Sequence, residues 1–191
     1  MAPLLVWTLA PGLVSDLQWG HHQLLPDTRE AAKAWIEANV PAGSSILLDQ
    51  LHASPNLVMD RSRVEEMLKQ NLALGSKRTR YYELLLKFHP GGGYRIWRIQ
   101  RSAADLWSPP AIVERSRKEG PYLDVTPGLS VLREKGIRYV VTSELGADPS
   151  RAPELKTFFE ELSRQGRVLM EFRADNRGTA GPLLKVYFIG G

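Results

Sequence analysis

The chain has 191 residues, 43% of them hydrophobic and 24% charged, which is long enough to bury a sizeable core and too ordinary in balance for a disordered, collagenous or coiled-coil protein. It contains no cysteine, which excludes disulfides, thiolate metal sites and cysteine nucleophiles. The net charge of +4 is unevenly spread: residues 61–120 carry thirteen basic against six acidic side chains, residues 1–60 two against six, so any attraction to phosphate belongs to the middle of the chain.

Residues 1–14 carry no charge. They fall short of the roughly 20 apolar residues of a bilayer span and lack the basic flank and small-residue cleavage site of a signal peptide. A core strand or helix, an interfacial anchor, and the outer end of a transmembrane helix all fit this run, although Pro11-Gly12 opposes a regular helix.

The first helix is predicted from Asp27-Thr28-Arg29-Glu30, a capping box, to about Asn39 before Pro41. Ala31, Ala34, Trp35 and Ala38 recur at helical spacing as its inner face. Ser45-Ile46-Leu47-Leu48-Asp49 reads as a strand buried on both sides. A second helix is predicted over 62–74, opened by Ser62 and Glu65 and closed by Gly75, with Val64, Met67, Leu68 and Leu72 inside. Residues 79–88 fit a helix better than a strand, although Tyr81-Tyr82 would suit either. Gly91-Gly92-Gly93 forms a turn before the strand 94–99.

Residues 101–126 show no period and contain Pro109, Pro110, Gly120 and Pro121, so they read as a long surface connection. Thr126 and Pro127 then open a helix that ends at Gly136. Residues 137–142 form the clearest strand, 153–165 an amphipathic helix on Leu155, Phe158, Phe159 and Leu162, and 167–172 and 183–189 two further strands. The alternation predicts an α/β layered domain: a mainly parallel, partly mixed sheet of about five strands, flanked by helices, with the last strand antiparallel.

Catalytic motifs are missing from the sequence. The glycine run precedes a strand and not a helix, so it is no phosphate loop; there is no Gly-x-Ser-x-Gly elbow and no His-Glu-x-x-His. His21 and His22 are adjacent, and neighbouring side chains diverge too much to share a metal without distant help. Asp124 and Glu144 read as caps. Asp49 and His52 follow the first strand, and Thr142 and Ser143 stand at the end of the 137–142 strand, all at the edge where open α/β sheets bind ligands; a stand-alone α/β module that binds a small anionic ligand there is the alternative reading of the chain. Arg95, Trp97, Arg98 and Arg101 combine cations with an aromatic ring and are the candidate contact with lipid phosphate. They lack the glycine-aromatic signature of RNA-binding strands, so no nucleic acid is expected, and no cofactor or metal.

Three stretches carry a family resemblance: residues 27–46 (Asp27 to Ile46), Gly136-Ile137-Arg138-Tyr139-Val140-Val141-Thr142-Ser143, and Gly181-Pro182-Leu183-Leu184-Lys185-Val186-Tyr187. In this order, over about residues 27–189, they resemble the segment after the last transmembrane helix of bacterial membrane glycosyltransferases of the GT-C class, relatives of protein O-mannosyltransferases and aminoarabinose transferases. The resemblance implies a water-soluble domain, 27–191, on the periplasmic or extracellular side of the cell membrane, attached to a polytopic enzyme that takes sugar from a polyprenyl-phosphate donor. Residues 1–26 would then be an apolar lead-in, with residues 1–14 the remnant of the final membrane helix. Catalysis in that class belongs to a loop after the first membrane helix, so no catalytic residue transfers to this chain. The implied partners are the parent enzyme's membrane-embedded helices and, at the basic middle, anionic lipid headgroups or polyprenyl-phosphate.

Overall fold

A computed structural model describes residues 25–49, 53–101, 110–144, 152–175 and 178–190. The apolar run 1–14 and the histidines His21, His22 and His52 lie outside these residues. The fold is α/β: a six-stranded mixed sheet, one strand more than expected, flanked by helices.

In chain order the elements are α1 (Thr28–Asn39), β1 (Ser45–Leu48), α2 (Arg61–Ala73), α3 (Thr79–Lys87), β2 (Arg95–Ile99), α4 (Pro110–Glu119), β3 (Tyr122–Leu123), α5 (Ser130–Glu134), β4 (Tyr139–Ser143), a 3-10 turn (Pro153–Leu155), α6 (Lys156–Gln165), β5 (Arg167–Phe172) and β6 (Leu184–Phe188). The strands lie in the order β3-β2-β1-β4-β6-β5. β3, β2, β1 and β4 are parallel, and β6 runs antiparallel to both β4 and β5, as expected for the last strand. β5 is an edge, and a register shift between Val168 and Met170 interrupts its ladder, a common way of blunting an edge against further pairing.

Helices cover both faces. On one, Ile36 of α1 and Val40 just after it pack with Ile46, Leu48, Ile96, Val141 and Val186. On the other, Leu129 just before α5, Leu132 of α5, and Phe158 and Leu162 of α6 pack with Leu47, Ile99 and Val140. Successive residues of β1 and β4 therefore feed opposite clusters, the two-residue alternation of a central strand. A satellite cluster of Val64, Met67 and Tyr82 joins α2 to α3.

Asp27 caps α1 as expected, accepting the Arg29 N–H at 2.7 Å, but the buried face is one position out of phase: Thr28, Ala32 and Ile36 are buried and Ala31 and Ala34 exposed. The phase is set from outside the helix. Thr28 donates from its N–H to the Ala180 carbonyl at 2.8 Å and from its hydroxyl to that of Pro182 at 2.7 Å, tying the start of α1 to the approach of β6.

Three further expectations are corrected. α2 starts earlier, on an Asp60 cap that accepts the Arg63 N–H at 2.8 Å, and its inner face is Arg63, Val64, Met67 and Asn71 while Leu72 is 57% exposed. Residues 101–126 are not one long connection, because α4 and β3 lie within them. The helix expected from Pro127 is shorter, Ser130–Glu134, since Asp124 accepts both the N–H and the hydroxyl of Thr126 and holds 124–128 as a turn.

Candidate functional site

The chain winds from β1 outward to β2 and β3, then returns to place β4 on the other side of β1. The carboxyl ends of β1 and β4 therefore flank the topological switch point, where open α/β sheets hold ligands. Asp49 follows β1 directly and Ser143 ends β4. The Asp49 N–H donates to the Val141 carbonyl at 3.1 Å, extending the parallel ladder by one residue and fixing the carboxylate.

Arg101, two residues beyond β2, closes the arrangement. Its Nη2 donates to Asp49 Oδ1, and Ser143 donates to Asp49 Oδ2 from its N–H at 3.3 Å and its hydroxyl at 3.2 Å. The Asp49 side chain is fully buried and that of Arg101 only 3% exposed. Arg101 was expected on a lipid-facing surface; it is instead the internal counter-ion of Asp49. Arg117 of α4 in turn donates to the Arg101 carbonyl at 2.7 Å, holding the residue that leaves β2.

Of the four residues expected at this edge, Asp49 and Ser143 meet. Thr142 is buried on the opposite side of β4, where it lines a shallow hollow of about 460 Å³ with Phe159, Glu160 and Tyr187. His52 lies outside the described residues. The anion seat at the switch point is filled by the protein's own carboxylate, so an incoming anion would have to displace Asp49 from Arg101. The arrangement is a clamp that fastens three strands, and a buried, fully engaged carboxylate is badly placed for proton transfer to a substrate.

The run 95–101 does not make one surface. Arg95 pairs with Glu66 of α2 at 2.5 Å. Trp97 packs on the α5–α6 cluster and lies under the guanidinium of Arg63, 4.0 Å from the ring centroid. Arg98, with Ile96, faces the other way and lines a cavity beside α3. Strand alternation divides these side chains, which corrects the expectation of a shared lipid-facing stripe.

Comparison with family models, curated proteins and solved structures finds no match for this chain. Among the described residues no three histidine or acidic side chains gather where they could hold a metal ion, and no helix is long and apolar enough to cross a membrane.

Sequence reasoning missed two features. Arg63 is a buried cation stacked on Trp97 and paired with Glu66 at 2.8 Å; its place at i, i+4 and i+8 with Met67 and Asn71 was the available signal. The second is the cavity at Arg98, whose walls come from four separate stretches of chain and leave no motif.

Proposed function

We propose that this chain is a non-catalytic accessory domain of a polyprenyl-phosphate-sugar-dependent membrane glycosyltransferase of the GT-C class, on the periplasmic or extracellular side of the cell membrane. There it serves acceptor binding, active-site covering or support of the membrane helices. One observation carries the reading: the three stretches behind the resemblance, distant in sequence, are contiguous in the fold. They supply α1, the first half of β1, β4 and most of β6; β1, β4 and β6 are neighbours in the sheet, and α1 is bonded to residues 180–182.

The strand-edge chemistry agrees, since the polar groups gathered there bind one another. The partners are the membrane-embedded helices of the parent enzyme, with anionic lipid headgroups or polyprenyl-phosphate at the basic middle. Leu72 and Leu74, 57% and 50% exposed, stand at the end of α2 close in sequence to exposed Lys77, a pairing of apolar side chains and cation that suits an anionic interface. The test is cell fractionation with an antibody to residues 27–189. The expected result is a membrane-bound polypeptide much larger than 21.4 kDa that resists alkaline extraction; a freely soluble band at that mass would overturn the proposal.

A further inference from the structure

Between α3, the start of α2, β2 and residues 56–59 lies a cavity of about 500 Å³, within the roughly 300–1,000 Å³ of small-molecule sites. Its walls are mostly apolar, with Leu57, Val64, Leu85 and Ile96 among them. Tyr81, Leu84 and Phe88, at i, i+3 and i+7 of α3 and its end, also line it and remain 57%, 41% and 71% exposed. A helix that turns such a stripe outward leaves it available to a ligand.

Two cations line the same cavity, Lys33 of α1 and Arg98 of β2, and no carboxylate is among the described residues around it. Nη1 of Arg98 is buried without a hydrogen-bond partner, and none of the ion pairs among the described residues includes Arg98. Burial pushes its guanidinium below the ordinary value, against the opposing pull of the Tyr122, Tyr81 and Tyr82 phenols. Unpaired buried charge is costly and rare. The neighbouring arginines of the run do have acids, Glu66 for Arg95 and Asp49 for Arg101. His89 at the rim is already fixed, with Nδ1 accepting the Gly91 N–H at 3.0 Å and Nε2 bonded to the Met59 carbonyl at 2.8 Å, so the positive charge that the site offers an anion comes from Arg98 and Lys33.

We infer that this cavity is a binding site for a single-chain amphiphile with an anionic head, its chain against the α3 stripe and its head on Arg98 and Lys33. The inference goes beyond the membrane-enzyme proposal and does not depend on it. The test is calorimetric titration of the full chain with dodecyl phosphate below its micelle concentration, alongside dodecanoate, dodecanol and inorganic phosphate. Dodecyl phosphate is expected to bind at least ten-fold more tightly than dodecanol, and far more tightly than inorganic phosphate. The dodecanoate titration distinguishes a carboxylate-headed from a phosphate-headed source.

Arg98→Met should weaken dodecyl phosphate by about ten- to a hundred-fold, the worth of a hydrogen bond to a charged group, and leave dodecanol unchanged. Leu84→Gln, at the exposed mouth, should weaken both, an independent reading of the chain-binding stripe. Without ligand, Arg98→Met should melt at the same temperature as the parent or higher, since an uncompensated charge has been removed. Equal binding of dodecyl phosphate and dodecanol, unchanged binding by Arg98→Met, or a lower melting temperature for the unliganded variant would each overturn the inference. None of these results bears on the size or location of the polypeptide in cells, so this failure is distinguishable from that of the proposed function.

Discussion

Arg101→Met isolates the clamp at the switch point. In the parent, Asp49 Oδ1 faces the Arg101 guanidinium and Oδ2 accepts from Ser143 at 3.3 and 3.2 Å, with the Asp49 side chain wholly inaccessible. Methionine keeps much of the volume and removes the charge, leaving a buried carboxylate with two long, neutral donors. Breaking a buried pair on one side costs about 3–5 kcal/mol. That is a large part of the roughly 5–15 kcal/mol expected for a domain, and for a chain of this size it corresponds to a melting temperature lower by about 6–20 °C. Urea unfolding at neutral pH, followed by tryptophan fluorescence and by circular dichroism, measures it. The double variant Asp49→Leu/Arg101→Met removes both charges and should recover more than half of the loss, because the penalty comes from the orphaned carboxylate and not from the missing attraction. A single variant within about 1 kcal/mol of the parent, or a double variant no better than the single, would refute the claim that this pair is buried and coupled.

Phe158, fully buried where α6 meets the sheet, should cost about 3–5 kcal/mol on truncation to alanine, read from the same urea curves. Gly92 and Gly93 both have positive φ, but a Cβ at Gly92 meets open space whereas one at Gly93 would sit 2.7 Å from the Val58 carbonyl oxygen; Gly92→Ala should cost about 1 kcal/mol and Gly93→Ala clearly more, as denaturation midpoints will tell. The side-chain hydrogen bond from Arg29 holds the Asp27 carboxyl below the usual carboxylate range, so its stabilisation is fully present above about pH 3.9 and disappears as pH falls through the lower folded value. Asp27→Asn keeps a capping oxygen and loses that ion pair, so the stability gap between parent and variant should narrow on acidification below about pH 4, in acid-titrated thermal melts; a gap that widens would contradict the assignment.

Much of the fold was legible because its signals are local. The Asp27 cap, the stop at Gly166 and the six residues of β5 each depend on neighbours within a few positions, as does the alternation of short apolar strands with amphipathic helices. What was misread depended on distant partners. α4 lies in a stretch without a period, and its last carbonyls are satisfied across the fold: Gln70 donates to Lys118 at 2.7 Å, and Asn71 and Tyr82 donate to Glu119 at 3.0 and 3.3 Å. Those bonds supply the C-terminal partners that a helix end requires, and nothing in residues 110–119 announces them. The inner face of α1 shows the same effect more subtly. Its period was legible, but alanines fit a core and a surface equally well, and the hold of residues 180–182 on Thr28 chose the phase.

The candidate site was half legible for a related reason. Position after a strand identified Asp49 and Ser143, because topology alone brings the ends of β1 and β4 together. The arginines of the 95–101 run look equivalent in sequence, and a charge count treats them as one basic patch. Side-chain direction along β2 and the acids that happen to meet them decide otherwise: Arg95 meets Glu66, Arg101 meets Asp49, and Arg98 faces an apolar cavity with no carboxylate among its described neighbours. Basic density in a sequence therefore reports how many cations a segment carries, while the charge left over for a ligand depends on acids placed elsewhere in the chain. By that measure the middle of this chain offers far less free positive charge than its thirteen basic residues suggest, and of the three arginines in the run only Arg98 has its charge still unanswered by an acid among the described residues.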